Sequence, residues 1–144
     1  MDNYQKFGLI VGQVFIGLGF GLVGAIAFGL SIILYFELIG RHLDLFGEIM
    51  FAVIGGYIGM QTGISFDTYK FLKRNGRQTN FTRFFFQSLF GLTIGLLTFY
   101  FIISFGNEIT NGLTNFLAVS LPLTGAIIGI NLGLTQKKNE NETK

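Results

Sequence analysis

Uncharged stretches of membrane-spanning length alternate with short charged segments along the whole chain. Residues 7–36 form a run of 30 without a charge, 49–66 a run of 18, 84–107 a run of 24 and 109–136 a run of 28. At 1.5 Å per helical residue, about 20 residues cross the roughly 30 Å hydrocarbon layer of a bilayer. The pattern therefore predicts an all-α integral membrane protein, a bundle of four transmembrane helices over 8–36, 49–66, 84–106 and 116–134 in one membrane domain. The first run is too long for the h-region of a secretory signal, so it is expected to be retained and to tilt, bend or begin before the membrane. Short connections make spans one and two, and spans three and four, antiparallel hairpins. Pro122 is expected near the start of span four, where a missing N–H costs least.

The polar segments differ sharply in charge. Residues 67–83 hold five of the ten Lys and Arg (Lys70, Lys73, Arg74, Arg77 and Arg83) against a single acid, Asp67. Lys6, Lys137, Lys138 and Lys144 bring the bases on this side to nine, and leave Arg41 alone on the other. Basic segments stay in the cytoplasm, so both termini and the basic loop are expected inside (N-in, C-in), with connections 37–48 and 107–115 outside. The expected location is a bacterial cell (inner) membrane, crossed several times. In the basic loop Phe66, Tyr69 and Leu72 recur at i, i+3, i+6 opposite Lys70, Lys73 and Arg74. That spacing predicts a short interfacial helix on anionic lipid, ended by Asn75 and Gly76. All five bases of the loop are candidate lipid head-group contacts. The tail 136–144 is expected to fray.

Inside the spans, small residues recur at four-residue spacing: Gly17, Gly21, Ala25 and Gly29; Gly55, Gly59 and Gly63; Gly91 and Gly95; Gly125, Gly129 and Gly133. Lipid tails are as apolar as leucine, so helices associate in a membrane through close van der Waals packing, which small side chains permit. Either these stripes close the bundle itself or one of them meets a second protomer. On the second ground a homo-oligomer, or a complex with other membrane subunits, is expected.

Each span also carries one carboxamide close to its cytoplasmic boundary, namely Gln13, Gln61, Gln87 and Asn131. Counting residues from the nearest charge puts all four in one layer, roughly 5–10 Å inside the membrane. An unpaired amide is costly in hydrocarbon, so these groups should face inward. They either hydrogen-bond between helices, at about 0.6–2 kcal/mol per contact, or line a path for a small solute. Ser31, Thr62, Thr93, Thr98 and Thr124 are further lining candidates. Glu37, Arg41, His42, Asp44 and Glu48 form either a solvated loop with capping acids or a cation-attracting, pH-sensitive mouth.

Composition narrows the function. Charged residues make up 12% of the chain against about 25% in soluble domains, and the mean hydropathy is +0.57. With no Cys and one His, disulfides, thiolate metal sites and multi-histidine cages are excluded. No His-Glu-x-x-His, Gly-x-Ser-x-Gly or phosphate loop occurs, and no predicted span has a central acid or base. No catalytic, cofactor-binding or metal residue is assigned, no cofactor is expected, and the basic run is too short for nucleic acid. The expectation is a non-enzymatic small polytopic membrane protein, an oligomeric pore or a membrane subunit of a larger complex, with membrane lipids as partners. The alternative is a small-solute carrier or a membrane enzyme component whose chemistry lies in a partner or a bound cofactor.

Overall fold

A computed structural model describes residues 3–42, 44–76, 79–105 and 111–142, with side chains for 4–42, 44–76, 79–104 and 112–132. Among these the chain forms four helices and no strand: α1 (Asn3–Leu38), α2 (Leu45–Arg74), α3 (Phe81–Phe105) and α4 (Asn111–Glu142). All four are long and apolar enough to cross a membrane, over Tyr4–Leu38, Leu45–Arg74, Phe81–Ser104 and Gly112–Leu132.

Local chemistry sets several of the ends. At the end of α1, Gly40 has φ +67, Gly40 N–H donates to the Glu37 carbonyl at 3.0 Å and Arg41 N–H to the Phe36 carbonyl at 3.0 Å. This pair of bonds satisfies carbonyls that the last turn leaves open, and the left-handed residue between them suits glycine. Gly76, at φ +68, closes α2 in the same way by donating to the Lys73 carbonyl at 3.1 Å. The Asp44 carboxylate caps the start of α2 by accepting from Gly47 N–H at 3.0 Å, and Asn80 Oδ1 accepts from Thr82 N–H at 3.0 Å at the start of α3.

The helices outrun the predicted spans. α2 passes Phe66 without a break and continues to Arg74, because the polar residues from Asp67 onward are interleaved with Leu72, which is 1% exposed and belongs to the core. The expected loop over 67–83 is thereby reduced to a short connection between Arg74 and Phe81. α4 begins at Asn111 and is helical through Glu142. Pro122 consequently lies inside that helix, not near its start. An internal proline leaves the carbonyl four residues earlier without its backbone donor. That carbonyl belongs to Ala118, and the Tyr57 hydroxyl of α2 donates to it at 2.8 Å.

α1 packs chiefly on α2, and α3 on α4; smaller contacts join α2 to α3, α2 to α4 and α1 to α4. The glycines explain the two close pairs. A Cβ on Gly24 would stand 3.0 Å from Gly59 Cα, and one on Gly63 would stand 2.7 Å from Phe20 Cβ. Between α3 and α4, a Cβ on Gly91 or Gly129 would come within 3.1 Å of the other's Cα, and one on Gly95 within 2.8 Å of Pro122 Cα. Gly21, Gly55 and Gly125 also lie against backbone of the facing helix. Gly17 sits where three helices meet, against Ile64 of α2 and Leu123 of α4, while Gly29 makes only ordinary contact with Ala52. Gly133 lies where side chains are not described. Rising numbers on α1 meet falling numbers on α2, as do those of α3 and α4.

The core is confined to one half of the bundle. It comprises Met60, Ile64 and Leu72 of α2, Phe84 and Leu92 of α3, and Leu123, Ala126, Ile127 and Ile130 of α4, with Leu9 buried on α1. These residues lie toward the end that carries the basic connection, here called the basic half. In the opposite, far half, no described residue of 22–38, 45–54, 96–104 or 112–121 is buried.

Candidate functional site

The basic half contains every buried polar side chain among the described residues: Gln13, Gln61, Ser65, Thr68 and Ser88. Gln13 is 0% exposed. Its Nε2 donates to Thr68 Oγ1 at 2.8 Å, and its Oε1 accepts from Asn131 Nδ2 at 3.1 Å. Thr68 passes its own proton to the Ile64 carbonyl at 2.8 Å, and Asn131 Nδ2 also donates to the Ile127 carbonyl at 2.8 Å. The result is a directed chain of hydrogen bonds from α4 through α1 to α2. In a low-dielectric interior each bond polarises the next, and a half-paired amide would be costly.

A second cluster joins α2 to α3. Gln61 Nε2 donates to the Phe85 carbonyl at 3.1 Å, and Ser88 Oγ donates to the same carbonyl at 3.1 Å. Ser65 Oγ and Ser88 Oγ are 3.0 Å apart. Since Ser88 has spent its one proton on Phe85, Ser65 is the donor between them. Gln87 belongs to neither cluster: its Oε1 is buried and has no hydrogen-bond partner among the described residues.

The four carboxamides predicted to share one layer are thus distributed unevenly. Gln13 and Asn131 are bonded to each other, whereas Gln61 sits seven residues before Thr68 on α2, about 10 Å farther toward the far half. A depth measured from Asp67 misplaces Gln61, because α2 has no boundary there. Thr68 occupies the α2 position that the count gave to Gln61. The hydroxyls predicted as lining are also placed differently. Ser31, Thr62, Thr93 and Thr98 donate to carbonyls four residues back on their own helices, at 2.7, 2.8, 2.9 and 2.9 Å, and Thr124 is exposed. A hydroxyl satisfied by its own helix can face hydrocarbon without an unmet donor. The interior hydroxyls are Ser65, Thr68 and Ser88, none of which sequence reasoning singled out. Spacing carries a signal for them: 61, 65, 68 and 72 follow one face of a helix that continues past Phe66.

Asp67, expected just beyond the end of span two, lies inside α2. It is partly buried, and a Cβ on Gly12 of α1 would come within 2.8 Å of its Oδ2. Glycine at 12 thus leaves the space in which this carboxylate rests, one residue from Thr68 and the buried chain of bonds.

Of the predicted head-group bases, Lys70, Lys73 and Arg74 are exposed on the last turns of α2 and line one surface concavity. Lys70 Nζ lies 5.1 Å from the Phe66 ring centroid and Lys73 Nζ 5.8 Å from that of Tyr69. Arg83 stands exposed on α3, and Arg77 lies outside the described residues. Of the charged cluster at the far end, Asp44 is the cap of α2, while Arg41 and His42 are exposed. No protein-family model, curated protein or solved structure matches the chain.

Proposed function

We propose that this chain is a non-enzymatic, multi-pass cell-membrane protein that works as the protomer of an oligomeric pore or as a membrane subunit of a larger complex. In this reading α1–α2 and α3–α4 are two antiparallel hairpins with both termini and the basic connection in the cytoplasm. Nine of ten Lys and Arg on that side support this orientation. Cysteines placed at Asn75 and Asp44 report it: a membrane-impermeant reagent should label only the Asp44 variant in intact cells, and the reverse pattern refutes it.

The observation that carries the proposal is the contrast between halves. The basic half is closed by its own hydrogen bonds and core, while in the apolar far half of all four helices only the glycine contact of Gly55 with Gly24 and Phe28 is buried among the described residues. Such a surface is free to accept neighbouring helices from a second copy or another subunit. Native mass in mild detergent tests this. A homo-oligomer supports the pore and co-purification with another membrane chain supports the subunit; a bare monomer under gentle extraction contradicts both.

A carrier for a small polar solute is the second reading, favoured by the buried and unpartnered Gln87 Oε1. That oxygen can accept a hydrogen bond from a solute donor. Gln87→Leu should then abolish uptake into reconstituted vesicles while the protein stays folded, and unchanged or absent uptake in the parent protein removes this reading.

A further inference from the structure

We propose that the end of α2 is a discrete binding site for an anionic phospholipid, with the phosphate on Lys70, Lys73 and Arg74 and an acyl chain along Phe66 and Phe20. The three bases stand at i, i+3 and i+4, so they share one helical face. All three are exposed and together line a concavity of about 410 Å³. Asp67, three residues before Lys70 on the same helix, interacts with the Lys70 charge, which leaves Lys73 and Arg74 as the two bases turned wholly to an outside anion. The one acid nearby, Asp67, rests against Gly12 of α1.

Like charges four residues apart on a helix repel, and an anion between Lys70 and Arg74 removes that repulsion. A helix C-terminus by itself favours a cation. It does not account for the aromatic seats, with Phe66 beneath Lys70 and Tyr69 beneath Lys73. These seats draw the ammonium groups toward the ring faces, where a phosphate at the membrane edge meets them.

The same face continues as an apolar strip. Phe66 is 41% exposed and Phe20 of α1 is 44% exposed, and their rings lie 6.5 Å apart. Bases at one end and exposed rings extending into the membrane match a lipid with an anionic head and a hydrocarbon chain. A soluble phosphate would use the bases alone. Arg83, on α3, is outside this site, so the site is narrower than the whole set of basic residues around the connection.

The inference rests on the membrane placement proposed above, and its test separates the two. The full-length protein in mild detergent is titrated with short-chain phosphatidylglycerol, phosphatidylcholine and inorganic phosphate, with bound lipid counted by native mass. Phosphatidylglycerol should bind at least about tenfold more tightly than phosphatidylcholine, and inorganic phosphate should not displace it at equal concentration. At roughly fivefold per base, Lys70→Gln combined with Lys73→Gln should weaken phosphatidylglycerol about 25-fold, Arg74→Gln alone about fivefold, and Lys138→Gln not at all. Phe66→Ala should also weaken it. Circular dichroism matching the parent shows that each variant is folded. Equal binding of the two lipids, displacement by inorganic phosphate, or an equal loss in Lys138→Gln overturns the site. Any of these from a protein that still requires detergent leaves the membrane placement standing.

Discussion

The basic and far halves of this bundle belong to the same four helices, yet the half richer in polar residues is the one that buries its large side chains. In the basic half Gln13, Thr68 and Asn131 tie three helices together, and Ser65, Ser88 and Gln61 join α2 to α3. In the far half the hydroxyls of Ser31 and Thr98 bond back to their own helices. The difference teaches where specificity comes from in lipid. Apolar surface does not pull helices together there, so position is set by close glycine contacts and by polar groups that need a partner. Tyr57 marks the border, since its bond to the carbonyl that Pro122 leaves open is the farthest outward of the described side-chain hydrogen bonds between helices.

The largest expected effect comes from the glycine seam. Gly129→Leu places side-chain atoms against Gly91 backbone, whose Cα and N would be 3.1 Å from the new Cβ. Backbone cannot swing aside as a side chain can, so a loss of about 3 kcal/mol or more, or failure to fold, is expected. Gly112→Leu meets nothing within 4 Å and should leave thermal stability unchanged. Equal melting of the two variants would erase the distinction between halves.

Threonine offers the same chemistry in both halves. Thr68→Val removes the acceptor of the Gln13 amide and should cost about 1–2 kcal/mol, whereas Thr98→Val removes only a bond within one helix and should stay within about 0.5 kcal/mol. Chemical denaturation in mixed micelles reads both. Tyr57→Phe, at the border, should lie between them at about 1 kcal/mol, because the Ala118 carbonyl then has neither its helical donor nor the hydroxyl.

Much of the fold was legible because length and charge decide it: four long uncharged runs gave four helices. The ends were less legible, since a helix needs only its own backbone bonds and can continue through polar residues. Charge alone ends span two at Asp67, although Leu72 continues its buried face. That single boundary displaced Gln61 in depth and concealed Thr68. The glycine repeats were visible, but a repeat does not name its partner. Gly24, off the four-residue stripe, makes a backbone approach at Gly59 that Gly29, on the stripe, does not make to Ala52. Tyr57 was hidden for another reason, because its role depends on a proline in a different helix.

The contrast between halves is tested most directly by paired cysteines, in a chain that has none of its own. Ser65 and Ser88 have their oxygens 3.0 Å apart. Ile54 and Phe99 lie eleven residues outward on the same two helices (65 − 11 and 88 + 11), which is close to the same face and about 16 Å away along the axis. Mild oxidation of the membrane-embedded protein should close the Ser65→Cys, Ser88→Cys pair rapidly and completely, and the Ile54→Cys, Phe99→Cys pair slowly or not at all. Equally fast closure of both pairs, or failure of the first, would contradict an α2–α3 join fastened in the basic half.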